Sequence, residues 1–188
     1  MREMREGDTP RQVVWTSSKP PGVEFCTVRR RASGWVLGGS VVRRFKEGAA
    51  VITYVIETDP GWRTRKVTVE QVLDGRRRTL EMALRRSRWL VEGTEDSGLR
   101  GCIDVDLQAS PVTNTLAIKR AALRVGSRVD LTAAWVKFPS LRVAPLRQSY
   151  ERLGKRKYRY RSATGFMAEI EVDGFGLVAR YGDYWLAV

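Results

Sequence analysis

GCIDVDLQASPVTNTLAIKR, residues 101–120, changes period part-way along, and that change organises the reading of the whole chain. Its first half alternates: Ile103, Val105 and Leu107 fall on one face of a strand, Cys102, Asp104 and Asp106 on the other. Ser110-Pro111 then carries the pattern of a helix start. A hydroxyl N-cap precedes a proline at the first helical position, where its missing N–H costs nothing. Val112, Leu116 and Leu123 lie in one narrow helical arc, and Gly126 supplies a stop, so the helix is expected at about 111–124. No other stretch has convincing helical periodicity.

Outward from this block the chain reads as short extended segments between glycine- or charge-marked turns. Strands are expected at 11–16, 22–30, 34–45, 48–58, 61–73, 76–84, 87–92 and 99–107, and after the helix at 127–138, 140–153, 156–162, 165–173, 175–181 and 184–188. Asp74-Gly75 and Asp173-Gly174 have the composition of tight hairpin turns. Residues 1–10 are expected to fray and 11–188 to form a single domain, since no Gly/Ser/Pro-rich linker divides them. The fold class is mainly β: a long antiparallel sheet rolled around a single α-helix. An open sheet of this many strands must curl, its concave face needs filling, and what one helix leaves unfilled is a ligand cavity.

The 188 residues suffice for a core without metal or disulfide staples. The chain has no histidine, which removes the usual general base and the commonest metal ligand. Cys26 and Cys102 lack C-x-x-C spacing and read as buried thiols in a reducing compartment, with one long-range disulfide as the alternative. The start, MREMREGDTPRQ, has no apolar h-region, and the longest apolar run, around Ala49–Ile56, is too short to span a bilayer. A cytoplasmic location is expected. The formal net charge of +13, from 34 basic and 21 acidic residues, attracts nucleic acid, anionic lipid and acidic partners alike.

Three constellations could carry function. Trp62-Arg63-Thr64-Arg65 opens a strand whose apolar positions continue as Val67, Val69 and Leu73. In unbroken register Arg63 and Arg65 share that inward face and would clamp the polar head of a ligand; a bulge near Trp62 would turn them out. Asp104 and Asp106 stand side by side, ~6.6 Å apart along the backbone. That geometry suits salt bridges or hydrogen bonds to sugar-like hydroxyls better than glycosidase carboxylates, which flank a scissile bond. Lys157, Arg159 and Arg161 fall on one strand face and Tyr158 and Tyr160 on the other, which separates the cations from the rings that a nucleic-acid surface needs together. The apolar end, Tyr184–Val188, is expected to pair into the sheet or lie at a subunit interface. No nucleotide-binding glycine loop, G-x-S-x-G elbow or metal-ligand cluster occurs. No catalytic residue, metal or cofactor is assigned.

With these residues in view, the chain resembles the putative glycolipid-binding family, once known only as a bacterial domain of unknown function. The resemblance lies in Trp62-Arg63-x-Arg65, in Gly101-Cys102-x-Asp104-Val105-Asp106-Leu107, in Ser110-Pro111-x-Thr113-Asn114-Thr115-Leu116-x-Ile118-Lys119-Arg120 and in Ala134-Trp135-Val136-x-x-Pro139. It continues through Gln148-x-Tyr150-x-x-Leu153, Phe166-x-Ala168, Val172-Asp173 and Gly176-Leu177-Val178. It implies a spiral β-roll that tends to dimerise, distantly like bacterial lipoprotein carriers. The chain departs from the family pattern at three places: Phe25 follows Glu24 where a histidine is usual, Arg85-Arg86 precede Trp89 in place of an Asp-Gly turn, and Ala117 replaces a helix proline.

The expected function is non-enzymatic binding of an amphiphile, of glycolipid or lipid-linked sugar type, inside the roll. Arg63 and Arg65 grip the head, Asp104 and Asp106 accept hydroxyl hydrogen bonds, and Trp62, Tyr54 and Trp135 line the cavity. Asn114 and Tyr150, from the segments that carry the resemblance, and Glu24, the glutamate of the first hairpin in the family pattern, complete the set. Expected partners are this small molecule and a second copy of the chain. Two alternatives stand beside this reading: nucleic-acid binding through the basic surface, and a carboxylate-dependent glycan hydrolase.

Overall fold

The computed structural model describes residues 9–188. The expectation for residues 1–10 therefore falls outside the described residues, save its last two positions. A meander of long strands opens the chain: β1 (Arg11–Ser18), β2 (Pro21–Arg31), β3 (Gly34–Phe45), β4 (Gly48–Thr58), β5 (Thr64–Leu73) and β6 (Arg76–Arg85). Two short strands follow, β7 (Arg88–Val91) and β8 (Thr94–Glu95), then a 3-10 turn at Ser97–Leu99, β9 (Asp104–Leu107) and the helix α1 (Thr113–Ala121). The second half contributes β10 (Arg128–Val136), β11 (Val143–Arg152), β12 (Lys157–Ser162), β13 (Met167–Val172), β14 (Val178–Tyr181) and β15 (Trp185–Ala187).

The fifteen strands of the described residues form one sheet, ordered β8-β7-β6-β5-β4-β3-β2-β1-β15-β14-β13-β12-β11-β10-β9. The first and last strands are neighbours in the middle of the ribbon, where Trp15 pairs with Ala187 and Thr16 with Leu186. The apolar C-terminal end is thus paired into the sheet. The two outer strands, β8 and β9, are joined by a short connection, so the ribbon must coil until its ends approach. Its coiling brings β9 against β5, where the Val105 N–H donates to Thr64 Oγ1 at 3.3 Å.

The sheet is antiparallel except at one place. β9 and β10 run parallel because α1, not a hairpin, connects them. This helix is shorter than expected at both ends. Ser110 is not its cap: Val112 N–H donates to the Ser110 hydroxyl within a turn that precedes the first helical residue. At the other end the chain leaves the helix at Ala122, in the left-handed region at φ 44°, before it reaches Gly126. An Arg152 guanidinium donor to Leu123 O, at 2.6 Å, holds the early exit. Every residue from Thr113 to Ile118 is buried, so the helix is enclosed on all sides, not amphipathic against one wall. Leu116 has no exposure, a burial worth about 1.5–3 kcal/mol.

Of the two turns expected to be tight, one differs. Asp74-Gly75 is tight, with φ of 50° and 73°. Asp173 instead heads a wider loop, its carboxylate accepting the N–H groups of Phe175, Gly176 and Leu177, with the positive φ at Gly176. Strand β9 is also shorter than the expected 99–107, because the 3-10 turn ending at Leu99 and the turn at Arg100-Gly101, with Gly101 at φ 86°, take up its start.

The outer face is divided. On β12, Lys157 pairs with Glu169 of β13 and Arg159 and Arg161 with Glu151 of β11, while Tyr158 and Tyr160 face the core as their alternation implied. On β2–β4, Val23, Val42 and Val51 stand directly opposite one another across three strands, all exposed, with Phe25 and Val55 beside them.

Candidate functional site

Inward alternation in β2 places Glu24 in one row with Cys26 and Val28. Glu24 is wholly buried, and it accepts the Tyr54 hydroxyl and, at 2.7 Å, the Ser110 hydroxyl. Burial raises the carboxyl to about 8, against the opposing effects of those two donors and of Arg43. Near neutral pH it holds a proton, which suits its second oxygen, buried without a partner. Gly39 on β3 makes room for this network: a Cβ there would lie 2.4 Å from Tyr54 Oη and 2.9 Å from Phe25 O. Gly39→Ala is therefore expected to cost about 2 kcal/mol, read as a lower melting temperature, whereas Gly38→Ala, with no atom nearer than 3.8 Å, costs less.

Ser110 also faces a pocket of about 370 Å³ beside the N-terminal end of α1. Its polar wall is Arg43, Asp106, Ser110 and Asn114; its aromatic wall includes Trp135, Phe166, Tyr184 and Trp185. Tyr160 and Tyr181 line it too and pack against Phe166, at 6.0 and 5.9 Å between ring centres. Asp106 accepts the Gln148 amide, and burial raises its carboxyl to about 6, so it is ionised at neutral pH. Asn114 donates to Pro111 O and accepts the Tyr150 hydroxyl at 2.9 Å, which fixes its amide at the pocket. The Lys137 ammonium lies 4.6 Å from the Trp135 ring centre.

Of the residues expected at the site, Asp106, Asn114 and Trp135 line this pocket. Tyr150 and Glu24 stand one hydrogen bond behind it, through Asn114 and Ser110, and Tyr54 one bond further through Glu24. Asp104 is committed elsewhere, both oxygens bonded to the Arg120 guanidinium at 2.7–3.2 Å. Trp62 lies toward the other end of the helix, stacked on Trp35 at 4.6 Å and close to Phe175 and Lys119. The inward orientation expected of Arg63 and Arg65 is corrected. A register shift between Glu57 and Thr58 pairs Thr58 with Thr64 and Glu57 with Lys66, leaving Arg65 as the extra residue. Both arginines are exposed, and Asp59 binds Arg63 N–H and the Arg65 guanidinium.

Arg43 and, apart from Trp135, the aromatic wall escaped the sequence reading, yet Arg43 had a signal. It shares the inward parity of Leu37, Gly39 and Val41, so an unbroken β3 carries an arginine into the interior. Cys26 and Cys102 are both buried and free, and burial pushes their thiols up to about 12 and about 11.

Fold and pocket together define a spiral β-roll with a polar and aromatic recess at one end of its enclosed helix. The chain belongs to the putative glycolipid-binding family, whose model matches residues 12–187. A DUF1089 family protein from Pseudomonas aeruginosa has a similar structure, with a TM-score of 0.77, 24% identity, and 96% of this chain and 95% of that one covered. A β-barrel-like protein of domain of unknown function DUF1849 from Brucella abortus is similar at a TM-score of 0.54 and 11% identity, covering 95% and 94%. No curated protein matches the chain. Among the described residues no helix is long and apolar enough to cross a membrane.

Proposed function

We propose that this protein binds an amphiphile of glycolipid or lipid-linked sugar type, without altering it chemically, in the pocket beside the N-terminal end of α1. The observation that carries the reading is the meeting of rings and fixed hydrogen-bonding groups. Trp135, Phe166 and Trp185 offer faces for a sugar or the start of an acyl chain, while Asp106 and Asn114, each held by a second residue, address hydroxyls. The ion pairs of Arg159 and Arg161 with Glu151, and of Asp104 with Arg120, support this reading over nucleic-acid binding and over a hydrolase.

The same proposal has two copies joined through the exposed Val23–Val42–Val51 row. Each copy carries +13, so like charges oppose association except at a face whose centre is uncharged. Native mass spectrometry of protein purified gently from cells tests both parts. A bound mass of lipid size on a dimer is expected, and Trp135→Ala and Asp106→Asn should each lower ligand occupancy at least several-fold. An empty protein that also shows no change in melting temperature across a panel of glycolipids would overturn the binding reading; a monomer would overturn the second part alone.

A further inference from the structure

Resting on the binding reading above, we infer that the ligand's head carries an anionic group, a phosphate or a carboxylate, and that Arg43 is its anchor. Arg43 lies on the pocket wall with its guanidinium over the Trp185 ring, 5.2 Å from the ring centre. A guanidinium has five N–H donors. One Nη donates to Ala109 O at 3.3 Å, and Nε is buried with no partner. Among the described residues no carboxylate comes within ion-pair distance of it.

The acid whose charge reaches Arg43 is Glu24, and that carboxyl already serves Tyr54 and Ser110. Burial also keeps it protonated near neutral pH, so it supplies no counter-charge there. The result is a half-buried cation without a neutralising partner, facing a pocket. Such a group calls for an anion, and a guanidinium binds phosphate or carboxylate through paired N–H groups. Asp106, ionised on the same wall, repels an anion from its own end of the pocket. The head is therefore oriented: anionic group at Arg43, hydroxyl-bearing part at Asp106 and Asn114.

Isothermal titration calorimetry on the full chain tests this with three probes: dihexanoyl phosphatidylglycerol below its micelle concentration, octyl glucoside, and glycerol phosphate. The anionic lipid is expected to bind roughly tenfold or more tightly than octyl glucoside. Arg43→Gln should remove about that factor for the anionic lipid and much less for octyl glucoside. A far-UV circular dichroism spectrum and a melting transition like those of the wild type check that the variant is folded. Arg43→Lys, which keeps the charge without the paired donors, should fall in between. Arg44→Gln removes the same charge from the exposed neighbour and should change nothing, which separates an anchor from the general field of a +13 protein.

Equal affinity of the wild type for anionic and neutral lipids, or equal losses in the Arg43→Gln and Arg44→Gln variants, would overturn the inference and leave the binding reading standing. Failure of both lipids to bind would overturn both. Glycerol phosphate binding as tightly as the lipid would assign the site to a free phosphate ester and overturn the amphiphile.

Discussion

Glu24→Gln is expected to remove most of the loss of stability that the native protein suffers between about pH 4.5 and pH 8. The carboxyl of Glu24 ionises near 4.5 when the chain is unfolded and near 8 when it is buried in the roll. Between those values the folded state holds a proton that the unfolded state has released, so stability falls as pH rises across that window and is level on either side. Each tenfold difference in proton affinity is worth about 1.4 kcal/mol, which makes the loss a few kcal/mol. The glutamine amide is neutral at every pH and offers its oxygen to Tyr54 and Ser110 as the protonated acid does. Thermal melts at matched ionic strength read the outcome. The variant and the wild type should melt alike near pH 4.5, and the variant should melt roughly 10–20 °C higher at pH 8.5. Asp106, whose own window ends near 6, contributes equally to both curves and cancels. Parallel curves across the whole range would show that Glu24 does not carry the charge cost assigned to it.

Asp104→Ala should destabilise the protein more than Gly39→Ala does. The Asp104 side chain is 2% exposed and that of Arg120 15%, and three hydrogen bonds join them between β9 and α1. Removing the acid strands a guanidinium in the interior, which typically costs about 3–5 kcal/mol. A fall of roughly 10 °C in melting temperature is expected. Asp104→Val combined with Arg120→Met removes both charges and should recover most of that loss, because an apolar pair of similar volume is often no less stable than a buried ion pair. A double variant no better than Asp104→Ala would mean that the bond's geometry, not the buried charge, holds the helix to the strand.

The two predictions mark different depths of legibility. Asp104 falls on the face opposite Val105 and Leu107, and its burial comes from the helix that covers that face. Glu24 shares the parity of Cys26 and Val28, so its burial could be read from neighbours two residues away. The partners of both could not. Tyr54 is 30 residues from Glu24, Ser110 is 86, and Arg120 reaches Asp104 only because a helix doubles back over the strand. Arg63 and Arg65 show the opposite case. Their parity pointed inward, but one extra residue in β5 reversed it, and nothing in Thr64-Arg65-Lys66 announces a bulge.

From the sequence alone came the class of structure: mostly strand, one helix near residue 115, the cysteines buried, the tyrosines of β12 inward. Each depends on periodicity or on a turn residue, which act over a few positions. The site was settled by closure of the ribbon. β1 and β15 meet in mid-sheet, β9 returns against β5, and that coiling alone brings Arg43, Asp106, Asn114 and Trp185 to one pocket. Those four residues belong to four separate elements. Their convergence depends on the twist and register of fifteen strands summed, and no local pattern encodes such a sum.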